Sequence, residues 1–236
     1  MMQTISRRGF LFATGAALVA PRITFSADKV PTYLDHILLG CDDLDRGIAF
    51  VETHTGVLAR FGGVHPGRGT RNALLALGGR RYLEIIAPDP QQSTLVRWPE
   101  LKTMSDPRLL TWAAHPDSID TLAKRLRDAR VAFEGPTDGS RSRPDGKTLH
   151  WQTLDLKDDR QGLLPFFIQW SPDSTHPSTD APQGCNLATF GLFAPDSQEL
   201  AKTLRLLELD APVECSDKLQ LRARIIGPKG QLDVTS

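Results

Sequence analysis

One pattern of apolar periodicity occurs three times along this chain of 236 residues, and it constrains the fold more than any other feature. Each copy has a strand-like apolar run, an acidic turn, a helical period and then three further strand-like segments. The apolar runs are residues 34–40, 109–114 and 187–194. Asp42, Asp117 and Asp196 follow these runs, and matching them gives offsets of 75 and 79 residues.

This repetition predicts an α+β fold built from tandem βαβββ modules. Residues 32–170 are expected to form two modules that pair around a cavity, and residues 185–236 a third, degenerate module. The second and third copies carry a Pro-Asp-Ser triplet, at 116–118 and 195–197. Each triplet predicts that a helix begins directly after the first strand of its module. The polar, proline-containing connection 171–184 is expected to be a linker.

The N-terminal residues 1–27 are expected to be a removable export signal rather than part of the fold. Arg7 and Arg8 precede a weakly apolar run at 10–20, an arrangement that resembles the twin-arginine signal. A run of about eleven residues is too short to span a bilayer. The alternative is an ordinary amphipathic helix, which the lack of a polar face disfavours. The sequence therefore predicts a periplasmic or secreted protein with no stable membrane insertion after signal removal.

Charge and cysteine content exclude several classes of protein. The whole chain carries 28 basic and 28 acidic side chains, and loss of the signal would leave 25 basic and 28 acidic ones, a formal charge of −3. This balance gives no reason to expect nucleic acid or an anionic membrane as a partner. The three cysteines are too few for a disulfide scaffold and too scattered for a Cys-x-x-Cys metal site.

Four stretches of the chain match a known superfamily in their residue pattern. They are LDH at 34–36, HPGRGTRNALL at 65–75, YLEIIAPDP at 82–90 and PFFIQW at 165–170. Together with the tandem modules they resemble the vicinal oxygen chelate superfamily, and more narrowly its glyoxalase-like domain proteins, over residues 32–236. The resemblance implies two sheets that curve around one cavity, with a divalent metal of unknown identity on its floor. Lyases, epimerases, ring-cleaving dioxygenases and drug-binding proteins share this fold, so the fold does not choose the activity.

The resemblance also implies metal ligands on the first and fourth strands of each module. In the first module, side-chain alternation places His36 and Glu84 on the same, cavity-facing side. In the second module, matching YLEI to FIQW sets Gln169 opposite Glu84, and Thr111 falls opposite His36. The implied metal set is His36, Glu84 and Gln169, with Glu84 also a candidate catalytic base and Thr111 a candidate substrate contact. The alternative is that His36 and Glu84 form a buried hydrogen-bonded pair in a metal-free homologue.

The Gly-rich turn at 65–69 is a second candidate binding element. His65, Arg68, Arg71 and Asn72 cluster around it, and glycines let a backbone bend closely around a ligand. Guanidinium groups suit a carboxylate or phosphate because their paired N–H groups match two oxygens. These four residues are therefore candidate substrate contacts. The alternative is an ordinary turn with solvated or ion-paired arginines.

Three functions remain open at this stage. The favoured one is an exported glyoxalase-like protein that binds a small molecule, with catalysis unproven. The second is a divalent-metal-dependent lyase, isomerase or dioxygenase acting on a small oxygenated substrate. The third is a non-catalytic structural or interaction module. Whether the protein is an enzyme, which molecule it binds and its oligomeric state stay open.

Overall fold

The computed structural model describes residues 30–94, 97–142 and 146–236, so the expected export signal lies outside the described residues. The strands are β1 (Leu34–Gly40), β2 (Arg60–His65), β3 (Thr70–Ala76), β4 (Tyr82–Pro88), β5 (Arg108–Ala114), β6 (Phe133–Ser142), β7 (Thr148–Leu156), β8 (Phe166–Trp170), β9 (Asn186–Ala194), β10 (Val213–Cys215), β11 (Gln220–Ile226) and β12 (Gln231–Thr235). The helices are α1 (Leu44–Thr55), α2 (Ile119–Asp128), α3 (Pro177–Asp180) and α4 (Ser197–Leu206), and a short 3₁₀ helix covers Pro99–Thr103. Within the described ranges, no helix is both long enough and apolar enough to cross a membrane.

The first strands of the two leading modules, β1 and β5, pair antiparallel at the centre of an eight-stranded sheet. The strand order is β2-β3-β4-β1-β5-β8-β7-β6. From the centre of the sheet outwards, each module therefore places its first, fourth, third and second strand in that order. β4 pairs parallel with β1, and β8 pairs parallel with β5. The predicted α+β fold with two paired βαβββ modules is confirmed.

The helices α1, α2 and α4 begin at the acidic turns, as the sequence predicted. Asp43 caps α1 by accepting a hydrogen bond from the backbone N–H of Arg46, and Ser118 caps α2 by accepting one from Thr121. Gly56 ends α1 at φ 79°, a left-handed conformation that glycine adopts without strain. Asp196 is the N-cap position of α4 without a side-chain capping bond, because its carboxylate binds Arg160 instead.

The third copy forms a separate four-stranded sheet with the order β10-β9-β11-β12. Its order of elements along the chain repeats that of the first two modules. Its strand order does not, because its first strand β9 lies between β10 and β11 and its fourth strand β12 lies at an edge. The third module is therefore degenerate in topology as well as in sequence.

One hydrophobic cluster joins both sheets. α1 and α2 pack on the convex face of the eight-stranded sheet, and the second sheet packs between them against β5. Trp112 of β5 and Phe190 of β9 are both buried, with ring centroids 5.3 Å apart. The third module therefore completes the core of the first two.

The opposite, concave face of the eight-stranded sheet is partly covered by the two long connections. Leu101 and Met104, in and after the 3₁₀ helix, pack on Leu38 and Ile86. The connection 171–184, expected to be a linker, instead carries α3 and packs against β3 and β4, where Ala76 donates its N–H to the carbonyl of Pro182 over 3.0 Å. The linker prediction is wrong because the prolines and polar residues of this segment form a short helix and contacts with the sheet.

The two outer strands of the sheet, β2 and β6, approach each other and curl it into a half-barrel. Arg141 of β6 reaches across this gap to Asn72 of β3, with 2.7 Å between Nη1 and Oδ1. Glycine is needed at position 62, because a Cβ there would lie 2.5 Å from Asn72 Oδ1 and 2.7 Å from Arg141 Nη1.

Candidate functional site

A β-bulge in β1 places two adjacent ionisable side chains in the concave space. The pairing of β1 with β5 shifts register between Leu34 and His36, so Asp35 does not follow the usual alternation. Both side chains are almost fully buried, and His36 Nδ1 donates to Asp35 Oδ1 over 2.7 Å. This contact fixes the ring and directs His36 Nε2 at Glu84, whose Oε2 lies 3.4 Å away. Strand parity predicts this proximity.

Glu84 contacts groups from two further strands, and a third strand supports one of these groups. Asn72 Nδ2 of β3 donates to Glu84 Oε1 over 2.7 Å, and Asn72 Oδ1 accepts from Arg141 of β6. His65 Nε2 at the end of β2 lies 3.6 Å from Glu84 Oε1. We call Asp35, His36, His65, Asn72, Glu84 and Arg141 the polar cluster. Its members come from both paired modules, so correct assembly of the half-barrel is required to form it.

Asp35 also ties the connection 171–184 to the polar cluster. Asp35 Oδ2 accepts hydrogen bonds from His176 Nε2 over 3.0 Å and from Trp170 Nε1 over 3.2 Å. His176 Nδ1 in turn accepts from the backbone N–H of Ser178 over 3.3 Å and lies 2.8 Å from its hydroxyl. A single buried carboxylate therefore accepts hydrogen bonds from two histidines and one tryptophan.

Charges within the polar cluster shift its pKa values strongly. Burial opposes protonation of His36, but hydrogen bonds and charges from Asp35 and Glu84 raise the pKa of His36 to about 9. Burial opposes ionisation of Glu84, but His36, His65 and Asn72 lower the pKa of Glu84 to about 2. The pKa of Asp35 lies well below its usual range, because its hydrogen bonds with His176 and His36 outweigh burial. At neutral pH two carboxylates therefore flank one imidazolium.

His65 is neutral at neutral pH, unlike the charged Asp35, His36 and Glu84. Burial lowers the pKa of His65, the Glu84 charge opposes that shift, and the cations Arg141 and Arg68 add to it. Its Nδ1 lies 2.8 Å from Thr70 Oγ1, and its Nε2 lies 3.3 Å from Asn72 Nδ2. These contacts assign the proton to Nδ1 and leave Nε2 as an acceptor.

Gln169 does not reach the polar cluster, and its predicted orientation is wrong. Its amide oxygen accepts a hydrogen bond from the backbone N–H of Ile119 over 2.7 Å, at the N-terminus of α2 on the convex face. Thr111 is buried on β5, paired with Leu38, and its hydroxyl donates to the carbonyl of Gly162 over 3.3 Å. Gln169 therefore does not enter the space in front of Glu84, contrary to what the sequence comparison implies.

The four candidate residues of the Gly-rich turn do not all point to the concave face of the sheet. His65 and Asn72 belong to the polar cluster. Arg68 is exposed in the turn between β2 and β3, where its backbone N–H donates to the carbonyl of His65 over 3.1 Å and its charge helps to lower the pKa of His65. Arg71 alternates with Asn72 on β3 and so points to the other face, where its charge lowers the pKa of Asp89. Asp89 in turn accepts hydrogen bonds from Gln92 and from the backbone N–H of Gln91, and these bonds are the larger cause of that shift.

Pairing register identifies Phe166, rather than Gln169, as the counterpart of Glu84. Glu84 pairs with Leu38 of β1, and Phe166 pairs with Ala113 of β5. Leu38 and Ala113 are equivalent positions, because the N-caps Asp43 and Ser118 of the helices that follow β1 and β5 are separated by the same 75 residues. The sequence match was therefore displaced by three residues, and an odd displacement moves a side chain to the other face of a strand.

The residues present do not fit the metal site that the superfamily implies. Phe166 offers no ligand atom, and the Thr111 hydroxyl is engaged by a backbone carbonyl. Of the implied ligand positions only His36 and Glu84 then remain, with the neutral His65 ring and the Arg141 cation beside them. Across the described ranges, no group of three or more His, Cys, Asp or Glu side chains is arranged to hold a metal ion. The implied positions therefore supply two ligands, fewer than the three or four protein ligands of known zinc sites.

Sequence reasoning missed three residues of this region, namely Asp35, Arg141 and His176. Asp35 was hidden by the bulge, which no periodicity reveals. Arg141 contacts Asn72 only because β6 curls round to β2, and His176 lies in a segment without apolar period. The one available signal was the Asp-His pair at 35–36 in an otherwise apolar strand, since a buried carboxylate needs a partner.

Comparison with known proteins identifies the family. The model of the glyoxalase-like domain family matches residues 34–207, most of the chain. The chain therefore belongs to the glyoxalase-like domain family. The matched range covers both paired modules together with β9 and α4 of the third. A comparison with curated proteins found no match.

One solved structure supports the same fold, and two others are similar at lower TM-scores. A hypothetical protein from Staphylococcus aureus is similar with a TM-score of 0.60 and 17% identity, covering 86% of this chain and 84% of that one. The methylmalonyl-CoA epimerase of Mycobacterium tuberculosis has a TM-score of 0.43 and 21% identity, covering 63% of this chain and 93% of its own. The Streptomyces coelicolor epimerase in complex with 2-nitronate-propionyl-CoA has 0.44 and 22%, covering 62% and 99%. At such identities the likeness concerns the fold alone.

Proposed function

We propose that this chain binds a small oxygen-bearing molecule on the concave face of its half-barrel and that the polar cluster is the recognition site. The observation that carries the proposal is the burial of two ionised carboxylates, Asp35 and Glu84, in one hydrogen-bonded cluster. Removing such charges from water costs several kcal/mol each, and apolar residues would stabilise a fold at least as well. A cluster of this cost is better explained by recognition of a polar ligand than by packing.

The chemistry of the polar cluster favours binding over proton abstraction. Glu84, with its pKa held at about 2, is a weak base, because base strength falls with pKa. His36 is a protonated donor, and the Asn72 amide and Arg141 guanidinium add further N–H groups in the same space. Such donors suit carbonyl, carboxylate or hydroxyl oxygens. Catalysis by Glu84 is therefore not part of the proposal.

The test is ligand-induced stabilisation with matched variants. A panel of small carboxylates, 2-oxo acids and diols is screened by thermal unfolding against the wild type, Glu84→Gln and Glu52→Gln. Glu52 is exposed on α1 and serves as the control for loss of a carboxylate. We expect at least one class to raise the melting temperature of the wild type and Glu52→Gln but not of Glu84→Gln. His65→Gln, a change at a partly exposed ring, serves as a second variant in case Glu84→Gln does not fold.

Two results would contradict this proposal. Equal stabilisation of the wild type and both cluster variants would place the ligand elsewhere, and no stabilisation by any class would favour a structural or interaction module. Elemental analysis of protein purified from its native host decides the remaining alternative. One equivalent of a divalent metal that is lost in His36→Ala would favour a metal-dependent lyase, isomerase or dioxygenase instead.

Export is part of the same proposal and rests on the sequence of residues 1–27. Because Arg7 and Arg8 precede a weak apolar run, Arg7→Lys together with Arg8→Lys should leave the precursor in the cytoplasm. Arg22→Lys, which follows the run, is the matched control and should be exported normally. The measurement is the amount of chain in periplasmic and cytoplasmic fractions. Normal export of the double variant would exclude the twin-arginine route.

A further inference from the structure

The concave face has a polar half and an aromatic half. The polar cluster lies mainly on β1 to β4. On the other side of the seam, Phe166 and Trp170 of β8 and Trp151 of β7 point into the same space, and Trp98 joins them from the connection before β5. We call these four residues the aromatic wall. In the second module, aromatic rings therefore stand where the first module has hydrogen-bonding groups.

The aromatic wall is in direct contact with the polar cluster. The Phe166 ring meets the His36 ring edge-on with centroids 5.5 Å apart, and the Trp170 indole donates to Asp35. Trp151 lies beside Trp170 with centroids 5.4 Å apart. A molecule that contacts His36 therefore also lies within reach of an aromatic ring.

The four rings differ from the core aromatics in exposure. All four rings of the wall are only partly buried, whereas Trp112 and Phe167 of the convex core are 0% and 1% exposed. The Arg97 guanidinium stacks 4.4 Å from the Trp98 ring and 5.5 Å from the Phe166 ring, at the rim of the face. Part of the aromatic surface of these rings is therefore accessible, and it can contact a flat ligand.

We propose, resting on the binding function proposed above, that the ligand is a small planar aromatic molecule with an oxygen-bearing head group. Its ring packs against the aromatic wall, with Phe166 nearest the head group, and its oxygens meet the donors of the polar cluster. Aromatic pairs gain about 0.5–1.5 kcal/mol beyond the apolar area that they bury, which a saturated ring does not obtain. The second module thus supplies ring recognition and the first module supplies head-group recognition.

The test compares three acids that share one head group. Calorimetric titration of the mature protein with phenylacetate, cyclohexylacetate and acetate separates the contributions of flatness and size. We expect phenylacetate to bind about tenfold more tightly than cyclohexylacetate, and acetate to bind weakest. Phe166→Leu should lower the phenylacetate affinity about fivefold and the cyclohexylacetate affinity less. Trp151→Leu is a second variant, and Phe61→Leu, on the exposed convex side of β2, is the control that should change neither affinity.

Each outcome separates this inference from the function on which it rests. Equal affinities for the two ring acids, unchanged by Phe166→Leu, would overturn the aromatic ligand while leaving a Glu84-dependent binding site in place. Stabilisation by aliphatic compounds of the panel, with no binding of phenylacetate, would do the same. If neither these acids nor any compound of the panel binds, both proposals are overturned.

Discussion

At the scale of single residues, the polar cluster is organised around one carboxylate that accepts hydrogen bonds from three side chains. Asp35 is fully buried and accepts from His36, His176 and Trp170. These bonds keep Asp35 ionised. The negative charges of Asp35 and Glu84 together keep His36 protonated. The folded state therefore binds a proton that the unfolded chain releases near the usual histidine pKa of 6.5.

This linkage predicts how stability changes with pH. The folded-state pKa of His36 is raised to about 9 from 6.5, so its contribution is complete below pH 6.5 and is lost as the pH rises to 9. We expect the free energy of unfolding to fall across that window by on the order of 3 kcal/mol. Urea unfolding at intervals between pH 6 and pH 9 measures the change. His36→Gln should remove most of the slope, and an unchanged slope in that variant would assign it to other groups.

Strand alternation predicted that His36 and Glu84 share a face, and the structure places their side chains 3.4 Å apart. Alternation could not predict Asp35, because the extra residue of a bulge breaks the period of two on which the rule depends. Nor could it predict Arg141, whose contact with Asn72 follows from the curvature of a whole sheet.

At the scale of secondary-structure elements, Gln169 is a helix cap rather than a member of the polar cluster. Gln169→Leu removes the acceptor for the Ile119 N–H and should lower the free energy of unfolding by about 1 kcal/mol. Ligand-induced stabilisation should be unchanged. Gln152→Leu, on the neighbouring strand and bonded to exposed Asp138, is the control with a smaller expected loss. Chemical unfolding of both variants gives the comparison, and loss of ligand response in Gln169→Leu would return the residue to the site.

The error over Gln169 has a physical origin. The order of strands and helices follows from apolar periodicity, and the positions of Ser118 and Asp196 at helix starts followed from local capping preferences. Register between strands is set by the lengths of the intervening loops and by packing, which periodicity does not contain. Phe166 could therefore be identified as the counterpart of Glu84 only from the pairing of β5 with β8.

At the scale of the whole molecule, both sheets share one core, so the chain should unfold as a unit. Phe190 is 1% exposed and contacts Trp112 across the two sheets. Phe190→Ala should cost about 3–5 kcal/mol and shift a single unfolding transition. Ile226→Ala, at a side chain 48% exposed on β11, should cost much less. Calorimetry measures both, and two separate transitions in the wild type would show that the third module is an independent domain.

The strand order of the second sheet bears on stoichiometry. β1 and β5 pair with each other, and this shared edge joins the two modules into the sheet that forms the concave face. β9 pairs with β10 on one side and β11 on the other, so the third copy cannot join another module through its first strand as β1 and β5 do. Tripling the motif along the chain therefore does not multiply the binding surface. A titration should saturate at one ligand per polypeptide.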